Sequence, residues 1–242
     1  QPVSLLNSSA SRAGQLGGCP AELLEPALER RLLAGISNIL VAPLFFGPSA
    51  ALTDYLPKRI SGLKARYPHL QLRLASPLVD VAEPDDQRMA AILEDRVRSA
   101  LPPGGPPPAV ILVDHGSPLR AVTRVRDHLA AQLRARLGPA VSRVVAASME
   151  RRPEPEYSFN EPLLADAFDQ PGLHAGTVVV ARLFLSPGRH AGPGGDIART
   201  CAAAEQRHPG LKTVMTGLVG SHPGLIPILV DRIRAGLGRN PV

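Results

Sequence analysis

Cysteine, tryptophan and lysine are scarce in this chain of 242 residues. The only cysteines are Cys19 and Cys201, and they form neither a CxxC motif nor the spacing of a zinc site. A disulfide framework is therefore not expected, and a reducing cytoplasm is the default location. With no Trp and 3% aromatic residues, the core must be built mainly from Leu, Val, Ala and Ile.

Long apolar runs and long runs of like charge are also missing. No apolar run approaches the ~18 residues that a membrane-spanning helix needs, and no signal peptide is recognisable. The net charge is +6, but the basic residues form no run of like charge and are not interleaved with aromatic residues. We therefore expect neither a membrane nor a nucleic acid as a partner. A diffuse positive charge favours a polyanionic small molecule instead.

A run rich in Pro and Gly, PPGGPPP at 102–108, divides the chain into 1–101 and 109–242. Such a run neither continues a helix nor occupies a central strand. After it, short apolar runs alternate with segments of helical periodicity, which predicts βαβ units around a parallel sheet. The predicted strands are 110–113, 141–148, 177–185 and 211–216, and the predicted helices are 118–137, 162–168, 193–207 and 223–237.

The first part of the chain repeats this pattern incompletely. A Leu-Phe-apolar-(Ser/Gly)-Pro step occurs at 44–48 and again at 183–187. The opening strand, loop and helix have no counterpart, either because this half has diverged or because a fragment beginning at Gln1 has lost them. When the two steps are aligned, His190 falls opposite Ala51, so only the second copy carries this histidine. The strands predicted here are 2–7, 38–43 and 71–76, and the helices are 20–33, 51–67 and 89–100.

Three loops follow the first three strands of the second part, namely 114–118, 149–162 and 186–196. In open parallel sheets, ligands bind beyond the carboxyl ends of the strands, where the strand order reverses. In a sheet of order 2-1-3-4, the first and third strands are neighbours. His115 and His190 would then face the same crevice, with Glu150 as the best candidate for a nearby carboxylate.

Imidazole binds divalent Co, Ni, Fe or Zn and also takes up a proton near neutral pH. This pair of histidines with a carboxylate suits a site that holds a metal transiently. Taken singly, each residue has a plainer interpretation: His115 as a polar strand end, His190 as part of a flexible surface loop, and Glu150 as a solvated charge. Glu154, Glu156 and Glu161 are weaker candidates in the same loop.

Three further features of these loops carry weaker signals. The planar fork of Arg189 suits a carboxylate ligand. Ser117, just before Pro118, has the position of a helix N-cap. The stretch GPGGD at 192–196 resembles a phosphate cradle, but it lacks the Walker spacing and its Lys.

The motifs in order resemble the class II tetrapyrrole chelatases, and most of all the sirohydrochlorin cobaltochelatase and ferrochelatase family of cobalamin and siroheme biosynthesis. These motifs are a strand with HGS, a strand with xxE, a strand with LFLxxGxHxxxxxD, then RHPG and a closing helix. The resemblance covers nearly all of 109–242 and, with lower fidelity, 36–100. The chain departs from the family at Asp114, where a small residue is usual, and in 149–162, which is longer and richer in Pro.

The resemblance implies an α/β, flavodoxin-like chelatase fold with two duplicated lobes, each a parallel sheet flanked by helices. The first lobe, 1–101, is expected to be incomplete and to lack the His motifs, and the second, 109–242, to carry the active site. The implied activity is insertion of Co²⁺ or Fe²⁺ into sirohydrochlorin or a related reduced tetrapyrrole held in the cleft between the lobes. The metal, including Ni²⁺ as a further option, is a substrate, and no tightly bound cofactor is expected.

The family's two pocket histidines match His115 and His190, which are expected to receive the metal, with His115 also acting as the base. The acidic pocket residue is best matched by Glu150, and Asp196 corresponds to an acidic residue interpreted as a helix cap. Arg189 and Ser117 are assigned to substrate binding. The protein itself is a possible partner, as a homodimer. The alternatives are a non-catalytic metal- or tetrapyrrole-binding protein on a chelatase scaffold and, with less support, a phosphate-binding flavodoxin-like domain.

Overall fold

The computed structural model describes residues 3–5 and 22–242, which fall into two compact units. The first comprises Gln1–Pro77 together with Asp231–Val242, and the second comprises Leu78–Val230. The predicted strand 2–7 and the start of the predicted helix 20–33 lie largely outside the described residues. The run at 102–108 lies within the second unit. The division into lobes at that run stays a prediction.

The first unit contains a small parallel sheet packed against helices. Its elements in chain order are α1 (Leu24–Leu33), β1 (Asn38–Val41), α2 (Leu56–Arg66) and β2 (Gln71–Leu74). Strands β1 and β2 pair in parallel, with Asn38 opposite Gln71. A π-helical turn, Ala51–Tyr55, leads directly into α2. Leucines from α1, the turn, α2 and β2 form the core of this unit, so the incomplete sheet still buries one apolar face.

The second unit is built around a parallel sheet of four strands in the order β4-β3-β5-β6. Its elements in chain order are α3 (Arg88–Arg98), β3 (Ala109–Asp114), α4 (Arg120–Leu137), β4 (Arg143–Ser148), α5 (Leu164–Ala167), β5 (Gly176–Arg182), α6 (Asp196–Arg207), β6 (Leu211–Met215) and α7 (Leu225–Leu237), whose last residues belong to the first unit. Every residue of β3 is buried, as its continuous apolar run predicts for a central parallel strand. The predicted α/β class and parallel sheets are confirmed.

Several helices begin later than the sequence predicts. Helix α4 starts at Arg120, so Ser117 is not its N-cap; the Ser117 Oγ instead accepts a hydrogen bond from the Leu119 N–H at 3.1 Å. The reason is a side chain from a distant loop, because Asn160 binds both the N–H and the carbonyl of Ser117 at 2.9 Å and holds it outside the helix. Helices α5, α6 and α7 also begin later than predicted, as do α1 and α2 in the first unit.

Cys201 is buried in α6, in agreement with its interpretation as a core residue, and burial raises the pKa of its thiol to about 11. Among the described residues, no helix is both long enough and apolar enough to cross a bilayer.

A buried polar network lies beneath the carboxyl end of the sheet. Asp114, at the end of β3, is 7% exposed, and Arg126, on α4, is 2% exposed. The Ser148 Oγ bridges them, donating to Asp114 Oδ1 and accepting from Arg126 Nη1, both at 2.6 Å. Arg126 also donates to the carbonyl of Asn160 at 3.0 Å. Burial raises the pKa of the Asp114 carboxyl, and the hydrogen bond from Ser148 and the charge of Arg126 oppose that rise.

This network makes Arg126 a strong determinant of stability. We expect Arg126→Met to lower the free energy of unfolding by about 3 kcal/mol at neutral pH, because the buried Asp114 carboxylate loses its counter-ion. Protonation of Asp114 removes that unpaired charge, so the loss relative to wild type should shrink as the pH falls. Urea denaturation at several pH values measures both effects.

Arg124→Met is the matched control, since Arg124 is exposed on the same helix. It should change the free energy of unfolding by less than about 0.5 kcal/mol. Equal losses of unfolding free energy in the two variants would contradict a specific contribution of the buried network to stability.

Candidate metal centre

The structure brings together the three residues that the sequence proposed for a metal. Ligand atoms of His115, Glu150 and His190 all lie within 4.8 Å of one another. The two imidazole rings meet edge to face, with centroids 4.5 Å apart and an interplanar angle of 86°. The Nε2 of His115 lies 3.6 Å from Oε1 of Glu150. We call these residues the metal trio.

Strand order explains this convergence. The trio follows the ends of β3, β4 and β5, and β3 pairs in parallel with both of the other strands. Counted from the first strand of this sheet, the order β4-β3-β5-β6 is 2-1-3-4, the order expected from the sequence, and it is confirmed. Loops from the same end of adjacent strands therefore carry the side chains to a common crevice.

The loops of His115 and Glu150 are joined by their backbones. The N–H of Met149 donates to the carbonyl of Asp114 at 2.9 Å, and that of Glu150 donates to the carbonyl of His115 at 3.2 Å. Gly116 has φ of +93°, and a Cβ at this position would lie 1.9 Å from the Glu150 carbonyl oxygen. A residue other than Gly would strain the backbone and push the two loops apart, which accounts for the glycine of the HGS motif.

The side chain of His115 is exposed and oriented by its own loop. Its Nδ1 lies 3.2 Å from the carbonyl oxygen of Gly116, which accepts a hydrogen bond when that nitrogen carries the proton. The other ring nitrogen, Nε2, then presents a lone pair on the side of Glu150. Both side chains are more than half exposed, at 54% and 56%, so an ion can reach them from solvent.

His190 is more enclosed and has a carboxylate behind it. Its Nδ1 lies 2.8 Å from Oδ2 of Asp196, although the two atoms do not meet at the angle of a hydrogen bond. Arg189 Nε lies 3.3 Å from the same oxygen, and Arg199 donates to the other one. A carboxylate at this place favours the proton on Nδ1 of His190 and leaves Nε2 for a ligand, as carboxylates behind metal-binding histidines do.

This contact changes the interpretation of Asp196. It is the first residue of α6 rather than its N-cap, which is Gly195. Asp196 follows His190 by six residues within the 186–196 loop, so the sequence placed the two residues near each other. It did not indicate that the carboxylate would lie against the imidazole.

The backbone of the 186–196 loop is satisfied internally. The N–H groups of Asp196 and Ile197 donate to the carbonyls of Arg189 and His190, at 3.2 and 3.1 Å. Arg182, at the end of β5, donates to the carbonyl of Ala191 at 2.9 Å. Because these N–H groups at the start of α6 already have partners, they are not free to bind a phosphate in the way the GPGGD stretch suggested.

The remaining site residues proposed from sequence lie near the trio but have other partners. Arg189 is 80% exposed and faces Asp196, and the Ser117 hydroxyl accepts from Leu119. Glu161 pairs with Arg151 at 2.7 Å. Among the described residues, the metal trio is the only cluster of His, Cys, Asp or Glu with ligand atoms this close together. Its two imidazoles and one carboxylate suit a divalent first-row metal and leave coordination positions open.

Comparison with known proteins identifies the family. The CbiX family model matches residues 109–235. The fold is similar to SirB from Bacillus subtilis with Fe³⁺, with a TM-score of 0.69, 19% identity, and 89% of this chain and 78% of that chain covered. It is also similar to the sirohydrochlorin chelatase SirB from B. subtilis subspecies spizizenii in complex with cobalt, with a TM-score of 0.66, 17% identity, and 97% and 92% covered.

A third solved structure, CbiX described as the terminal enzyme for siroheme biosynthesis in denitrifying bacteria, has a TM-score of 0.59, 18% identity, and 96% of each chain covered. No curated protein matches the sequence. At these identities the solved structures establish the shared fold, and the family model establishes membership over more than half of the chain. The chain belongs to the CbiX family, which confirms the resemblance to class II tetrapyrrole chelatases.

Proposed function

We propose that this protein inserts a divalent metal ion, Co²⁺ or Fe²⁺, into sirohydrochlorin or a closely related reduced tetrapyrrole. The observation that carries the proposal is the convergence of His115, Glu150 and His190 within 4.8 Å at the carboxyl end of the sheet. Membership of the CbiX family and the fold shared with structures named as sirohydrochlorin chelatases support the same reaction.

The trio holds the incoming metal weakly enough to release it. The Nε2 atoms of the two histidines and an oxygen of Glu150 are the free donors, because the Nδ1 atoms face the Gly116 carbonyl and the Asp196 carboxylate. Solvent or pyrrole nitrogens occupy the open positions, so the ion can exchange protein ligands for those of the macrocycle. These donors accept Co²⁺, Ni²⁺ and Fe²⁺ alike, and affinity order alone does not select among them.

Metal insertion releases two protons from the pyrrole nitrogens as the metal–nitrogen bonds form. His115 is the base in this proposal: its exposed Nε2, released as the ion moves to the pyrrole nitrogens, takes up the two protons one after the other. Glu150, 3.6 Å away, stabilises each resulting imidazolium and passes each proton on to solvent before the next is taken up. His190 stays oriented by Asp196 and serves mainly as a metal ligand.

Removing either histidine tests the mechanism. We expect His115→Ala and His190→Ala each to lower the rate of Co²⁺ or Fe²⁺ insertion into sirohydrochlorin by at least about 100-fold, because a base or ligand is lost. The change in the absorption spectrum of the tetrapyrrole follows the reaction. His174→Ala is the matched control, since that side chain contacts the carbonyl of Gln170 instead. Unaltered turnover in both site variants would rule out this mechanism.

The same assay separates an enzyme from a binding protein. With the tetrapyrrole and metal in large excess over protein, an enzyme forms many equivalents of metallated product. A non-catalytic binding protein on the same scaffold would stop after one equivalent and retain it.

The role of Asp196 makes a separate prediction. We expect Asp196→Asn to weaken Co²⁺ binding by about 10-fold to 100-fold, because His190 loses the carboxylate that fixes its tautomer. Titration of the visible Co²⁺ absorption band measures the dissociation constant directly. Asp169→Asn is the control, since Asp169 forms an equally close pair with His208, at 2.7 Å, outside the trio. Equal effects from both substitutions would contradict a specific role for Asp196.

A further inference from the structure

Two arginines beside the metal trio are stacked on aromatic rings. The guanidinium of Arg120, at the start of α4, lies 4.5 Å from the ring centroid of Phe159. That of Arg152 lies 5.3 Å from the centroid of Tyr157 and also donates to the Tyr157 hydroxyl at 3.1 Å. The two rings are neighbours, with centroids 6.2 Å apart. We call Arg120 and Arg152 the stacked arginines.

The aromatic rings belong to the Pro-rich loop at 149–162. This part forms a short 3₁₀ helix, Pro155–Asn160, whose last residue is completely buried. Asn160 binds both backbone polar groups of Ser117 and accepts from the Thr123 hydroxyl at 3.2 Å. Since Ser117 follows His115 by two residues and Arg152 follows Glu150 by two, the rings are held at the loops that carry the trio.

The stacked arginines lack the carboxylate partners that their neighbours have. In residues 3–5 and 22–242, neither has an Asp or Glu oxygen within ion-pair distance, whereas Arg151, the residue before Arg152, pairs with Glu161 at 2.7 Å. A guanidinium stacked on a ring keeps the donors along its edge available, and stacking restricts its rotamers beforehand. Such a group loses less freedom when it binds a planar anion than a free surface arginine does.

We propose that the stacked arginines form a binding site for peripheral carboxylates of the tetrapyrrole. The inference rests on the proposed function, and it assigns to the 149–162 loop a role in holding the macrocycle while the trio delivers the metal. Two cations over adjoining rings suit a ligand that carries several carboxylates on one rigid frame. The fork of a guanidinium can donate two N–H groups to one carboxylate, which a point charge does not do.

Binding of metal-free sirohydrochlorin to the intact chain, followed by absorbance, tests this site without turnover. We expect Arg120→Ala and Arg152→Ala each to weaken binding by about tenfold, the usual loss for one charged hydrogen-bonding partner. Their Co²⁺ dissociation constants should equal that of the wild type. Arg124→Ala is the matched control, because Arg124 is exposed one turn further along α4 and is not stacked on a ring.

Two further measurements address the chemistry of the contact. The methyl ester of the tetrapyrrole, which carries no carboxylates, should bind wild type and Arg120→Ala equally well. Arg120→Lys, which keeps the charge and loses the fork, should recover only part of the lost affinity. Full recovery in Arg120→Lys, or an equal loss in Arg124→Ala, would overturn the site in favour of diffuse attraction.

The outcomes distinguish this inference from the proposed function. If wild type binds the tetrapyrrole and inserts metal while both alanine variants bind it as tightly, the carboxylate site is wrong and the chelatase proposal stands. If wild type neither binds the tetrapyrrole nor metallates it, both are wrong.

Discussion

The parallel pairing of β3 with β4 on one side and β5 on the other is the constraint on which the proposed metal centre depends. A parallel register brings all three carboxyl ends to the same edge of the sheet, so residues as far apart in sequence as His115 and His190 meet. The fully buried β3 strand makes this pairing costly to disturb, because a change of its register would disrupt the hydrogen bonds to both neighbouring strands and separate the trio.

Rigidity at this edge comes from polar groups that are buried and paired. Asp114 and Arg126, joined through Ser148, fix the end of β3 against β4 and α4, while Asn160 fixes the loop above them. An unpaired polar group in such a buried network costs free energy, so the arrangement in which every group has a partner is strongly favoured. At Asp114, where the resemblance led us to expect a small residue, the carboxylate has a partner in Arg126 and a bridge in Ser148.

Local patterns in the sequence were sufficient for the sheet, its strand order and the convergence of His115, Glu150 and His190. Continuous apolar runs marked the buried strands, and the position of His115 and His190 just beyond two of them predicted their convergence. Those patterns did not predict the start of α4 or the role of Asp196. Both depend on a side chain that contacts a different loop, Asn160 in one case and His190 in the other, and periodicity along the chain does not encode such contacts.

The most direct test of the account is a structure of the protein with Co²⁺ bound. We predict one ion held by the Nε2 atoms of His115 and His190 at about 2.1 Å, with an oxygen of Glu150 completing the protein ligands. The Nδ1 of His190 should remain beside Asp196. An ion bound elsewhere, or bound by only one of the two histidines, would contradict the central claim that the trio acts together.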